Sequence, residues 1–485
     1  MSASATNAWT AGGTGGAPLS GLDALFVAAE RPGAALHTMA ILVLDPTTIP
    51  GGYEFERFRA TVASRAASGP LMRRLVAGRL PWQRPRWVDV DRLDVDRHVV
   101  RSALPPPGDA HQLAQLAAWI DEQPLDRAHP LWAMHVVEGL HDGSIALVCK
   151  LSHALMDGVA GMEFMASFFT TAPDDTTNND SGAGARSEVA DGKPTGRSAG
   201  GIVGLVRDAA DELRSFPAGV ARTLRDVITA TGSAATPMAR RALHLTLPRP
   251  SAPRVRWNTP LTPTRSVAFT EVDLDDVRDT ARLHGVTVND VLLAIVAGAL
   301  RDHLLDDHAL PDRPLIAAVP VSVHGEHRQE MNAVSVMLVP VASDCADPSE
   351  RVATIHTTIC EARRAHDERG PGLLMTIADL IPTPVVQFGA AMLVDVVGVE
   401  RLPPICNFML SNVAGPPVPL YIGGARLRAL FPLGPIFPGM GLNVTAVSRE
   451  HKMGIGLVSC PAAICDLWSI ADSLPKHLDD LRVAR

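Results

Sequence analysis

A histidine that ends an apolar run and is followed a few residues later by an acid and a glycine can serve as a positioned proton acceptor. In this chain of 485 residues the arrangement is Ser152-His153-Ala154-Leu155-Met156-Asp157-Gly158. The preceding Ile145-Ala146-Leu147-Val148-Cys149-Lys150-Leu151 reads as a strand, and Gly158 to Met165 begins a helical pattern, so His153 falls where the strand ends. Side chains alternate along a strand, which puts residues 145, 147, 149, 151 and 153 on one face and Ser152 on the other. Only one of that adjacent pair can address a given pocket. An imidazole of unperturbed pKa near ~6.5 is mostly neutral at neutral pH and can take a proton. The same spacing also fits an ordinary buried histidine. Asp157 stands at the start of the helix, where it can accept backbone N–H bonds as an N-cap or pair with an arginine. Both readings make Asp157, with Gly158 beside it, an organiser of the loop that carries the imidazole.

A second polar block is Thr287-Val288-Asn289-Asp290. Thr287 with Asp290 three residues on fits a capping box, which makes Asn289 and Asp290 structural. A helix N-terminus can also polarise an oxyanion or attract a phosphate, so a site role for both stays open. Three other patterns fail on context. Gly196-Arg197-Ser198-Ala199-Gly200 has the spacing of a nucleophile elbow but lies in a polar linker, without the strand and helix that the motif needs. His324, His327 and Glu330 sit in a charged turn with no second histidine pair, so no metal site is expected. Gly12-Gly13-Thr14-Gly15-Gly16 lacks the Gly-Lys-Ser/Thr ending of a phosphate loop.

The elements that must position these residues alternate between strand-like and helix-like. Thr38 to Leu44 reads as a strand and His111 to Ile120 as a helix; beyond Trp257 come strands near Val267 to Val272, Leu315 to Val323 and Asn332 to Val341, then a helix from Ser349 to His366. The fold class is therefore α/β. A length beyond the ~250–300 residues at which one core stops growing predicts two domains. Residues 1–17 read as a disordered tail, 18–171 as an N-terminal subdomain with the histidine segment, 172–256 as a linker that is flexible and then helical, and 257–485 as a C-terminal subdomain with its own core. Between Ile202 and Leu247 an apolar stripe is flanked by arginines; it fits a crossover helix packed on the protein, and it fits attachment to an anionic membrane or lipid-droplet surface. A net charge of -8 without long blocks of like charge argues against nucleic acid. Six scattered cysteines fit a reducing, cytoplasmic compartment. The first residues lack the layout of a secretory signal, and the longest clean apolar run, Val291 to Leu300, is half the ~20 residues that a membrane span needs.

Five blocks in order carry a resemblance. They are Leu19-Ser20-Gly21-Leu22-Asp23 with a downstream His37; Pro124-Leu125-Asp126-Arg127-Ala128-His129-Pro130-Leu131-Trp132 followed by Glu138-Gly139-Leu140; the His153 segment; Val288-Asn289-Asp290-Val291-Leu292; and Ser411-Asn412-Val413-Ala414-Gly415-Pro416. Together the sequence resembles the bacterial wax ester synthase/diacylglycerol acyltransferase family, within the superfamily marked by His-His-x-x-x-Asp-Gly. The likeness spans nearly the whole chain outside the linker. It departs in two places: Ser152 occupies the first histidine position, and Met331 precedes Asn332 where the family tends to have Gly. The resemblance implies two chloramphenicol-acetyltransferase-like subdomains with a tunnel between them. It implies His153 as general base in an acyl-CoA-dependent transfer to diacylglycerol or a long-chain alcohol, giving triacylglycerol and wax esters. Asn289, Asp290 and Asn412 become candidates for the oxyanion or the tunnel lining, and no cofactor is implied beyond acyl-CoA as substrate. Two alternatives stay open: a condensation-type acyltransferase with another acceptor, and a lipid- or acyl-CoA-binding member weakened by the serine at position 152.

Overall fold

In the computed structural model the described residues are 36–67, 69–77, 85–155, 168–173, 252–322, 334–369, 398 and 400–484, together with Leu19, Asp23, Ala24, Phe26, Val27 and Glu30. The expected tail, residues 174–251 of the linker with its arginine-flanked stripe, Asp157, Gly158, the 324–330 cluster and Met331 lie outside them.

The first half supplies β1 (His37–Asp45), α1 (Phe55–Ala66), a β2–β3 ribbon (Arg73–Val76, Arg86–Asp89), β4 (Val99–Ala103), α2 (Ala110–Glu122), β5 (Trp132–Glu138) and β6 (Ile145–Ser152). The second supplies β7 (Ser266–Asp273), α3 (Leu274–His284), α4 (Val288–Asp306), β8 (Ile316–Ser322), β9 (Val334–Pro340), α5 (Pro348–Arg369), β10 (Phe408–Ala414), β11 (Tyr421–Ile422), β12 (Ala425–Leu433), β13 (Leu442–Arg449), β14 (Lys452–Ser459) and α6 (Leu467–Val483). Local chemistry sets the helix ends. Asp109 caps α2 in a reciprocal box with Gln112, Asp273 caps α3, and Gly285 closes α3 at φ 66°, a left-handed conformation that glycine adopts without strain. Val291 to Leu300, the long apolar run of the sequence, is the buried middle of α4, apolar all round because every side of it meets core. No single helix among the described residues is long and apolar enough to cross a membrane.

Two six-stranded sheets result, ordered β11-β12-β1-β6-β5-β4 and β7-β14-β13-β10-β8-β9. β6 lies between β1 and β5 and is covered on both faces, which is why Ile145 to Cys149 form an unbroken apolar run rather than an alternating one. One face packs into a large core with α2, the second sheet and α4; the other packs with Phe58 and Val62 of α1. The strand order crosses the expected division at residue 257. β11 and β12, from the C-terminal half, complete the first sheet, with β12 antiparallel to β1. The larger core contains Ile41, Ala146 and Val148 of the first sheet alongside Leu293, Val444 and Ile455 of the second half. Side chains of the two halves thus meet in the larger core, and the described residues on either side of 174–251 group into one compact unit.

Candidate active site

β6 runs out at Ser152, whose cross-strand partner on β1 is His37. The chain then turns, closed by a bond from Leu155 N to Ser152 O of 2.9 Å. Two main-chain bonds fix the turn from either side: Ser152 N donates to Leu131 O at 3.0 Å, and His153 N donates to Leu36 O at 3.0 Å. The imidazole of His153 stacks on Phe26 with centroids 4.4 Å apart and planes inclined by 25°. Its Nδ1 is shut off from solvent while the residue as a whole is half-buried, so the remaining accessible surface belongs to other atoms of the residue. Desolvation holds its pKa down to about 4. The ring is consequently neutral at neutral pH, with a nitrogen lone pair able to accept a proton.

Ser152 is buried, and its Oγ donates to Glu30 Oε1 at 3.4 Å. Glu30 Oε2 in turn pairs with Arg127 Nη2 at 2.7 Å. Leu19, Ala24, Val27, Leu75, Leu131 and Ala154 form a small core of their own around this corner. The opening block and the Pro-Leu-Trp block are thereby brought to the histidine turn, although both are distant from it in sequence. Trp132 anchors the wall by donating its indole N–H to Leu71 O at 3.0 Å and stacking on His98 at 4.5 Å. Phe26 and Glu30 carry no signal in the sequence, and Arg127 enters there only as a member of the Pro-Leu-Trp block; their link to position 153 is made by tertiary packing.

Thr287 and Asp290 form the capping box expected of them: Asp290 N donates to Thr287 Oγ1 and Thr287 N donates to Asp290 Oδ2. Asp290 is fully buried and its Oδ2 also lies 2.8 Å from His356 Nδ1 on α5. Those contacts tie α4 to α5 and engage Oδ2 within the fold. Asn289 is half-buried in the first turn of α4, and Asn412 is exposed on β10 of the second sheet. Asn carries amide N–H donors, which is the chemistry an oxyanion needs.

Residues 19–292 match the catalytic-domain model of wax ester synthase/diacylglycerol acyltransferase, and residues 331–482 match the C-terminal domain model of the same family. Two proteins of Mycobacterium tuberculosis, both named provisionally as diacylglycerol O-acyltransferases, are similar along nearly their whole length. One is 36% identical, covering 96% of this chain and 89% of the relative; the other is 32% identical, covering 95% and 98%. Among solved structures, the wax ester synthase/diacylglycerol acyltransferase from Marinobacter aquaeolei VT8 superposes with a TM-score of 0.69 at 26% identity, covering 96% of this chain and 98% of that one. The first condensation domain of the calcium-dependent antibiotic synthetase shares the fold, at a TM-score of 0.53 and 15% identity over 97% and 96% of the two chains.

Proposed function

The chain belongs to the wax ester synthase/diacylglycerol acyltransferase family, which makes it an O-acyltransferase, and from that premise we propose that His153 is the general base of ester formation from acyl-CoA and a lipid alcohol. The observation that carries the assignment is a neutral, desolvated imidazole held at the end of β6 by main-chain bonds within the matched catalytic domain. His153 takes the hydroxyl proton of a diacylglycerol or long-chain alcohol as that oxygen attacks the thioester carbonyl. A C–O bond forms, the C–S bond breaks, and the CoA thiolate leaves with the proton from the imidazolium. Proton transfer of this kind contributes about 10²–10⁴-fold. The tetrahedral oxyanion is met by Asn289, Asn412 or main-chain N–H groups, while Asp157 and Gly158 shape the loop after the base. The scheme passes through no acyl-enzyme and uses no cofactor besides the acyl-CoA substrate.

Palmitoyl-CoA with diacylglycerol or hexadecanol tests it, with released thiol and neutral lipid both followed. Triacylglycerol or wax ester from the wild type, lost in His153→Ala, is expected; equal inactivity of both proteins with both acceptors rejects it. A second reading has support from Ser152, because its hydroxyl is turned to Glu30 where the family has a histidine. In that reading the protein binds acyl-CoA without turnover, and tight binding with no product selects it. The arginine-flanked stripe of residues 202–247 supports peripheral attachment at an anionic membrane or lipid-droplet surface. Flotation with anionic but not neutral vesicles is expected; sedimentation with both rejects it.

A further inference from the structure

The C-terminal end of α2 gathers more buried charge than its surroundings call for. Asp121 sits in the last turn, where the helix dipole disfavours an acid, and is almost fully buried. Three basic side chains converge on that end. His37 turns its Nδ1 to the Asp121 carbonyl at 3.3 Å and to Oδ1 at 3.5 Å. Arg265 brings its Nε to Asp121 Oδ2 at 3.6 Å and anchors its own guanidinium on Thr262 O and Thr264 O. Lys150 donates to Ile120 O at 2.5 Å and to Gln123 O, close enough to Asp121 to feel its charge. Glu122 adds a main-chain tie, accepting Arg265 N at 2.9 Å. Burying this many charged groups costs more than an apolar filling of the same volume, so their return lies in fixing geometry rather than in stability.

What they fix is the wall of the histidine turn. His37 is the cross-strand partner of Ser152, and its neighbour Leu36 provides the carbonyl that takes the His153 amide. Arg265 immediately precedes β7, the edge strand of the second sheet. We propose that His37, Asp121 and Arg265 form a buried clamp of positioning residues: Arg265 locks the start of the second sheet to α2, α2 holds His37, and β1 thereby sets the position of His153. The inference rests on His153 being the base.

Arg265→Met and Asp121→Asn break the clamp at two links. Each is expected to lower kcat about 10- to 100-fold, since displacement of a catalytic group by about 1 Å costs that much, while KM for palmitoyl-CoA holds. Arg265→Lys, which keeps the charge beside Asp121, is expected to recover part of the loss. An activity-independent readout is the rate at which diethyl pyrocarbonate labels His153, followed by mass spectrometry; a loosened turn exposes the ring and raises that rate. Glu122→Ala, on the half-exposed side, keeps the test open if the buried variants fail to fold, and should raise labelling with a smaller loss of kcat. Unchanged His153 labelling in the folded variants overturns the clamp, as does a kcat equal to wild type. Should the wild type make no ester at all, the proposed function falls, and the clamp is judged on the labelling alone.

Discussion

At the scale of single residues, the base is set by where its solvent is removed. His153 has a pKa held down to about 4 by burial, below the ~6.5 of a free imidazole. Lowering the pH protonates the ring and abolishes its capacity to accept a proton, and a depressed pKa delays that loss to more acid solution. The acid limb of kcat/KM is therefore expected well below pH 6.5, toward the value of about 4. A limb at or above 6.5 in an enzyme that still needs His153 would mean that the ring is solvated in the working state. The histidine stood out only through the motif blocks that surround it in family order, because the local pattern fits an ordinary buried histidine as well. Its partners did not stand out as such: Phe26, Glu30 and Arg127 reach it across long stretches of chain, and no local period records which side chains meet after folding.

At the scale of elements, period and capping were legible, and what packs on a helix was not. The Thr287 and Asp290 box marks the start of α4 in the sequence, because both partners lie within one turn. Gly298, in the middle of the same helix, looks like a flaw of about 1 kcal/mol by propensity. Packing explains it. A Cβ there would stand 2.6 Å from His477 Nδ1 of α6 and 2.7 Å from Arg351 Nη1 of α5. Both neighbours are buried, and Arg351 is committed to the carbonyls of Cys345 and Ala346, so neither can swing away freely. Gly298→Ala should thus lose more by overpacking than it gains in helix propensity, a net destabilisation of roughly 1–2 kcal/mol. Chemical denaturation measures it, and a variant as stable as wild type would show that α5 and α6 yield.

At the scale of the whole molecule, the strand periods of β7, β8 and β9 were readable and those from β10 onward were not, and period does not say which sheet a strand will join. β12 leaves the second half to pair with β1, and then the chain returns to form β13 and β14. That excursion joins the sheets backbone to backbone. A Cβ on Gly454 would overlap the carbonyl oxygen of Leu430, and one on Gly456 the carbonyl oxygen of Pro432. Both glycines are on β14, where alanine would ordinarily be the better residue by ~0.5–1 kcal/mol. Here the obstacle is main chain on both sides, pinned in one direction by pairing to β1 and in the other by pairing to β7 and β13. Neither Leu430 nor Pro432 can relieve the overlap by changing a rotamer; β12 must move as a strand. Because β12 pairs with β1, and β1 holds the turn of His153, that movement reaches the site. Gly454→Ala and Gly456→Ala are each expected to lower the denaturation midpoint and to reduce acyl transfer in the fraction that stays folded. Gly143→Ala, in an open turn with no neighbouring atom in the way, should leave the site undisturbed, its cost confined to its own left-handed backbone at φ 75°. Equal activity in all three folded variants would mean that the two sheets shift relative to each other without consequence for His153.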